Sequence, residues 1–183
     1  MSIAISGQHA SHPWFTTKDD ELIVAGRKIS QIAAEVGHTP FYVYDKSVMD
    51  RKVEQLRSVL PKEISLHYAM KANPMPEIVR HMVSLTDGVD VASAQEMDVA
   101  INVGAQPQCV SLAGPGKTES ELHRAAAADI TVHIESEREI RILDQYAKSS
   151  GHKTRIAIRV NPNFELKSSG MKMGGGPKQF GID

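Results

Sequence analysis

From residue 65 to residue 160, short apolar runs alternate with longer stretches in which apolar residues recur at helical spacing. Runs at 65–70, 89–92, 109–113, 130–134 and 155–160 read as strands, and stretches at about 75–85, 94–102, 118–128 and 136–149 read as helices. Strand starts recur every roughly 20–25 residues, which favours parallel βα units with right-handed crossovers over an antiparallel sheet. The pattern suits a (β/α)8 barrel followed as far as its fifth strand. A doubly wound open sheet has the same local signature, so periodicity does not separate the two. From Ser65 to Asp183 there are about 119 residues, where a complete barrel takes roughly 200 or more, so the pattern corresponds to about half a barrel.

The first 64 residues follow a different rhythm. Residues 1–20 are rich in Ser, His and Thr without periodicity and read as a weakly ordered arm. Residues 21–28 have strand character around Leu22-Ile23-Val24. Ile29, Ile32, Ala33 and Val36 then give a helix over 29–36 that Gly37 stops. Thr39-Pro40-Phe41-Tyr42-Val43-Tyr44 predicts a strand. A helix follows from Asp45, with Val48, Val53, Leu56 and Leu60 on one face, and runs to Pro61. The expected organisation is therefore an arm at 1–20, N-terminal strands at 21–44 and the βα region at 45–183.

Composition narrows the class. With 21 basic against 22 acidic residues in 183, nothing points to nucleic acid. Cys109 is the single cysteine, which excludes an intrachain disulfide and disfavours a cysteine-based metal site. Residues 1–7 lack the features of a signal peptide, and no run reaches the ~18 apolar residues of a membrane span, so the cytoplasm is the expected compartment. No His/Asp/Glu set has metal-ligand spacing, and Gly-x-Ser-x-Gly is absent.

The chemistry concentrates at one residue. Ser65-Leu66-His67-Tyr68-Ala69-Met70-Lys71-Ala72-Asn73-Pro74 is an apolar, strand-like run ending in a lysine. Burying that charge is costly and packing gains little from it, whereas an amine at a strand end suits a Schiff base. The bland alternative is a lysine that snorkels to solvent. Tyr-Ala-Met-Lys-Ala-Asn resembles the signature of the fold-type III pyridoxal-phosphate-dependent decarboxylases, the diaminopimelate, ornithine and arginine decarboxylases built on the alanine-racemase-like barrel. The resemblance decides for the TIM barrel, present here in part, with N-terminal strands that belong to a β-domain built mostly from later sequence. It implies pyridoxal 5'-phosphate as cofactor and Lys71 as its Schiff-base residue.

Other segments agree with that family in order. Val89-Asp90-Val91-Ala92-Ser93-Ala94-Gln95-Glu96 resembles its second-strand motif, which implies that Asp90 and Glu96 flank the cofactor lysine. A carboxylate beside an amine favours its protonated form. The alternatives are a strand-start turn residue for Asp90 and helix-dipole stabilisation for Glu96. Arg155-Ile156-Ala157-Ile158-Arg159-Val160-Asn161-Pro162 resembles the fifth strand. Among apolar neighbours Arg159 needs an anionic partner, for which Asp90, Glu96 or the cofactor's phenolate are the candidates, unless it is solvated. Arg155 reads as surface charge. His67 either faces the mouth or is a satisfied core or surface histidine, and His133 lies in the fourth strand.

Two glycine-rich segments remain. Gly114-Pro115-Gly116-Lys117-Thr118 ends like a P-loop, but the first glycine that motif requires would fall at Ser111, inside a strand, which leaves Lys117 as a loop residue facing the mouth. Gly174-Gly175-Gly176 could approach an anion, yet its place matches the loop after the family's fifth strand, ending in a Phe-Gly element. There the family's Lys-Phe-Gly reads Gln179-Phe180-Gly181, with Lys178 as the neighbouring charge. The wording from Arg159 to Gly181 is similar to the subgroup encoded with exosortase and exopolysaccharide systems.

The resemblance thus implies a carboxy-lyase that decarboxylates an amino acid at its α-carbon, either a free diamino acid or one attached to a carrier, as a homodimer when full length. These 183 residues lack the family's later phosphate glycines, pyridine-nitrogen carboxylate and proton donor, so alone they are expected to bind cofactor weakly without turnover. An amino-acid racemase, a pyridoxal-phosphate carrier protein and a non-catalytic interaction protein are the alternatives.

Overall fold

The computed structural model describes residues 14–164, 176 and 178–183. The chain divides into two compact units, Met1–Val59 and Leu60–Asp183.

In the first unit, strands β1 (Thr16–Lys18), β2 (Glu21–Val24) and β3 (Arg27–Lys28) form an antiparallel meander. Its two tight turns use left-handed backbone at Asp19-Asp20 and Ala25-Gly26, the conformation that matches hairpin twist. Residues 16–18, expected within a weakly ordered arm, are therefore strand, because β2 gives them a partner; residues 1–13 of that arm lie outside the described residues. Helix α1 (Ile29–Val36) stops at Gly37, whose left-handed φ of 78° lets its N–H reach Ala33 O at 2.9 Å. Residues 39–44 contradict their strand expectation. They carry β-forming side chains but no ladder among the described residues, and Tyr42 is 92% exposed. Helix α2 (Lys46–Val59) begins at Asp45, whose carboxylate accepts from Ser47 N and from Ala25 N, tying the β2–β3 turn to the helix. Those bonds, led by the Ser47 hydroxyl, hold the Asp45 carboxyl below its ordinary value. Of the four apolar positions expected on one face, Val53 is buried, whereas Leu56 is exposed.

The second unit follows the predicted alternation closely. Strands β4 (His67–Ala69), β5 (Gly88–Val91), β6 (Val110–Leu112), β7 (Thr131–Ile134) and β8 (Arg155–Ile158) alternate with helices α3 (Pro76–Leu85), α4 (Ala94–Asn102), α5 (Glu119–Ala127) and α6 (Glu137–Ser150). All four strand pairs are parallel, in the order β4-β5-β6-β7-β8. A doubly wound sheet reverses direction at a switch point. This chain advances one way throughout, which with crossovers of one hand lays every helix on one face of the sheet. The architecture is a partial (β/α) barrel.

Strand alternation separates the two faces. Val89, Val91, Val110, Leu112, Val132 and Ile134 point to the helices and are at most 2% exposed, forming the core with Val79 and Leu122. The opposite face presents Asp90, Ser111, Thr131 and His133, the polar wall of the barrel interior. Among the described residues no helix is long and apolar enough to cross a membrane.

Candidate active site

Lys71 does not end a buried strand. β4 is an edge of the five-stranded sheet, and the chain leaves it in a 3-10 turn, Met70–Ala72, that holds the lysine exposed. The turn is rigidly seated. Met70 is fully buried, Asn73 N–H donates to Met70 O at 3.1 Å, and the Tyr68 hydroxyl donates to Asn73 O at 3.0 Å. The buried neighbours fix the backbone while the amine stays exposed.

Asp90, facing inward from β5, is held from two sides. Its Oδ1 accepts from the Ser111 hydroxyl at 2.7 Å and lies 3.0 Å from His67 Nδ1. His67 is thus an interior-facing partner of Asp90.

Glu96 sits in the first turn of α4, where Ser93 caps the helix through Glu96 N and the Glu96 carboxylate accepts from Ala92 N at 2.7 Å. The same device recurs twice. Thr118 and Glu121 form a full capping box on α5, and Ser136 and Glu139 cap α6, with Glu139 Oε2 accepting from Glu135 N at 2.8 Å. Glu121 also accepts from Ala94 N at 3.1 Å, joining two neighbouring helix starts. The backbone N–H of Thr118 is the main influence holding the Glu121 carboxyl below its ordinary value, against the opposing effect of burial.

Arg159 corrects the expected pairing. Its guanidinium lies 3.1 Å from Glu135 Oε1 and packs over the Phe180 ring at 4.8 Å, so its charge partner is Glu135 rather than Asp90 or Glu96. Glu135 directly follows β7, two residues before α6 begins, which brings it against the end of the neighbouring strand. Its side chain is 1% exposed. It also accepts from Gly114 N at 2.7 Å and from Gly181 N at 3.1 Å. Burial is the largest single effect on this carboxyl and opposes its ionisation, yet the bonds from Gly181, Arg159 and Gly114 together hold it below the ordinary value.

Lys117 is buried, with its side chain 1% exposed; its amine donates to Gly114 O at 2.5 Å and pairs with Glu139 at 3.1 Å. Arg155, expected on the surface, has its side chain 40% exposed and donates to Gln108 O and to Asp129 O at the opposite end of the sheet. The glycine-rich loop at 165–175 and residue 177 lie outside the described residues, while Gly176 O accepts from Asn161 Nδ2 at 2.9 Å.

Lys71, Asp90, Glu96 and Arg159 all line one open cleft of about 680 Å3 at the carboxyl ends of the strands, together with His133 and Lys117. That is where barrels of this kind gather functional groups, because each βα loop opens onto the same mouth. Glu135 and Glu139 were not foreseen from the sequence. The signal for the second was present, since Ser/Thr-x-x-Glu occurs at 93–96, 118–121 and 136–139.

Comparison with known proteins shows the family and the fold. Residues 46–183 match the family described as pyridoxal-dependent decarboxylase, pyridoxal binding domain. The chain is 35% identical over 174 residues to diaminopimelate decarboxylase of Aquifex aeolicus, covering 94% of this chain and 41% of that one. It is 36% identical over 146 residues to L-glutamyl-[BtrI acyl-carrier protein] decarboxylase of Niallia circulans, covering 79% and 34%. The crystal structure of diaminopimelate decarboxylase from M. jannaschi superposes with a TM-score of 0.78 at 26% identity, covering 93% of this chain and 39% of that one. The chain thus spans about two-fifths or less of the relatives it matches. Sequence and fold together make it a member of the pyridoxal-dependent decarboxylases, carrying the first part of their pyridoxal-binding barrel.

Proposed function

We propose that the intact protein decarboxylates an amino acid at its α-carbon, with Lys71 as the residue that attaches the cofactor covalently. One observation carries this reading: an exposed amine on a rigid turn shares a cleft with two carboxylates and a guanidinium, at the end of the barrel where chemistry is done. These groups fit pyridoxal phosphate. An amine in solvent contact is available to an aldehyde, and Arg159 offers an anion a cation that Glu135 already orients. When bound, the cofactor supplies an electron-withdrawing ring that accepts the electron pair released as carbon dioxide leaves.

The chain's own residues divide the remaining work. Asp90, fixed by Ser111 and His67, presents a carboxylate to the cleft that Lys71 lines. Glu96 holds the turn between β5 and α4 through Ala92 N while its carboxylate faces the cleft. Arg159 binds an anionic oxygen of cofactor or substrate. The substrate is a free diamino acid or a carrier-linked one; the names of the Aquifex and Niallia relatives support one alternative each. The family resemblance also supports a homodimer of the intact protein. The finer likeness to the exosortase-associated subgroup rests largely on 159–181, much of which lies outside the described residues.

The test is reductive trapping. The protein is incubated with pyridoxal phosphate, treated with borohydride and digested, and the adduct is located by mass spectrometry. A stable adduct on the peptide containing Lys71, absent from Lys71→Ala, is the expected result; an equal adduct in both proteins overturns the assignment. Release of carbon dioxide from free diaminopimelate or from a carrier-linked aminoacyl group then separates the two substrate classes.

A further inference from the structure

Two buried glutamates lie four residues apart at the mouth, and they differ in what they hold. Glu139 is 3% exposed and pairs with Lys117, itself 1% exposed, so that both charges are enclosed. Glu135 is equally buried, but its partner Arg159 is 30% exposed and lines the cleft. Glu135 also receives hydrogen bonds from the backbone of two other segments, Gly114 after β6 and Gly181 beside the end of β8. A single carboxylate therefore joins three separate pieces of the rim.

The joint at Gly181 is tight. Gly181 has φ of 77°, and a Cβ there would stand 3.0 Å from Arg159 O. The next residue locks the same place: Ile182 N donates to Arg159 O at 2.8 Å, and Asn161 N donates to Ile182 O at 2.7 Å. Phe180 supplies the ring under the guanidinium. Arg159 is thereby held at its backbone by Ile182, at one face by Phe180 and at its charged end by Glu135.

We infer that Glu135 is a positioning residue of the site: it aims Arg159 into the cleft and clamps the Gly114 loop and the Phe180–Gly181 turn around it. The inference rests on the proposed role of Arg159 toward the cofactor, and it adds a residue that never touches the ligand. A guanidinium restrained before the ligand arrives loses less freedom on binding it, so the clamp raises affinity without a contact of its own.

Two measurements test it. In the protein without cofactor, hydrogen exchange followed by mass spectrometry reads the clamp directly. Glu135→Gln is expected to speed exchange about tenfold or more in the peptides covering 114 and 178–183, with α4 unchanged, because a charge-assisted acceptor is lost. Unchanged exchange there overturns the proposal whatever the cofactor does. The second is the equilibrium affinity for pyridoxal phosphate in a cycle of Glu135→Gln, Arg159→Gln and the double variant. If Glu135 acts through Arg159, affinity falls about tenfold or more in Glu135→Gln and the double variant is no worse than Arg159→Gln alone. Additive losses, the mark of a merely structural residue, overturn it. Glu135→Asp keeps the charge one methylene short and is expected to recover part of the affinity; no recovery over Glu135→Gln counts against the proposal. Failure of the wild-type protein to bind the cofactor would count against the functional reading, with the exchange experiment still deciding the clamp.

Discussion

Lys71 and Lys117 both stand at the carboxyl end of the same sheet, in opposite surroundings. Lys71 projects into an open cleft from a turn anchored by a buried methionine. Lys117 is folded inward, its amine taken up by Gly114 O and Glu139. The contrast separates two surroundings for a lysine charge, one enclosed with a carboxylate and one open to the cleft. Here the enclosed amine is committed to holding loops in place, and the accessible one is the amine proposed to attach the cofactor. Burial by itself thus says that a charge has a partner, not that it has a task.

The largest difference is all-or-none. Lys71→Ala is expected to remove the trapped cofactor adduct completely while changing unfolding free energy by less than ~0.5 kcal/mol, as an exposed side chain should. A large loss of stability, measured in urea, would break the contrast from this side. Lys117→Met is expected to do the opposite, costing about 3–5 kcal/mol by leaving Glu139 buried without its charge partner. Adding Glu139→Leu should recover most of that loss, and a double variant no better than the single one would show that the pair is not the cause.

Acid should act on the carboxylates that tie the rim together, Glu121 and Glu135. Glu121 and Glu135 have folded-state values below the ordinary one, so each contributes stability that is full above about pH 4.3, where unfolded glutamates titrate, and is lost as pH falls through the folded value. Urea midpoints between pH 3 and pH 6 should therefore drop below that point, and Glu135→Gln should flatten the drop; an unchanged slope would remove Glu135 from the account. The smallest effect belongs to the caps. Thr118→Ala should cost about 1 kcal/mol and leave adduct formation at Lys71 intact.

Legibility tracked the range of the interaction. The βα alternation was readable because core-facing valines and leucines repeat within each element, and helix α4 falls where spacing placed it. That Lys71, Asp90, Glu96 and Arg159 line one cleft was readable because each sits in a short motif in or just after a strand. The environment of Lys71 was not, since the apolar run in the sequence does not reveal the 3-10 turn that carries it. The partner of Arg159 was hidden for a related reason: Glu135 reaches it across a strand pairing, 24 residues away. Residues 39–44 show the limit of propensity, because a strand needs a second strand to bond with.

The three Ser/Thr-x-x-Glu caps on α4, α5 and α6 carry a consequence for how such a mouth changes over time. Each helix start is closed by its own hydroxyl and carboxylate, and two of the three carboxylates reach further, Glu121 to Ala94 N and Glu139 to Lys117. A turn closed in this way can be rewritten at the residues outside its cap, whereas Glu121 and Glu139 have to stay because each also holds a neighbour. A new pocket shape can then arise on an old frame, because the closure of each unit is written within a few residues of its own sequence.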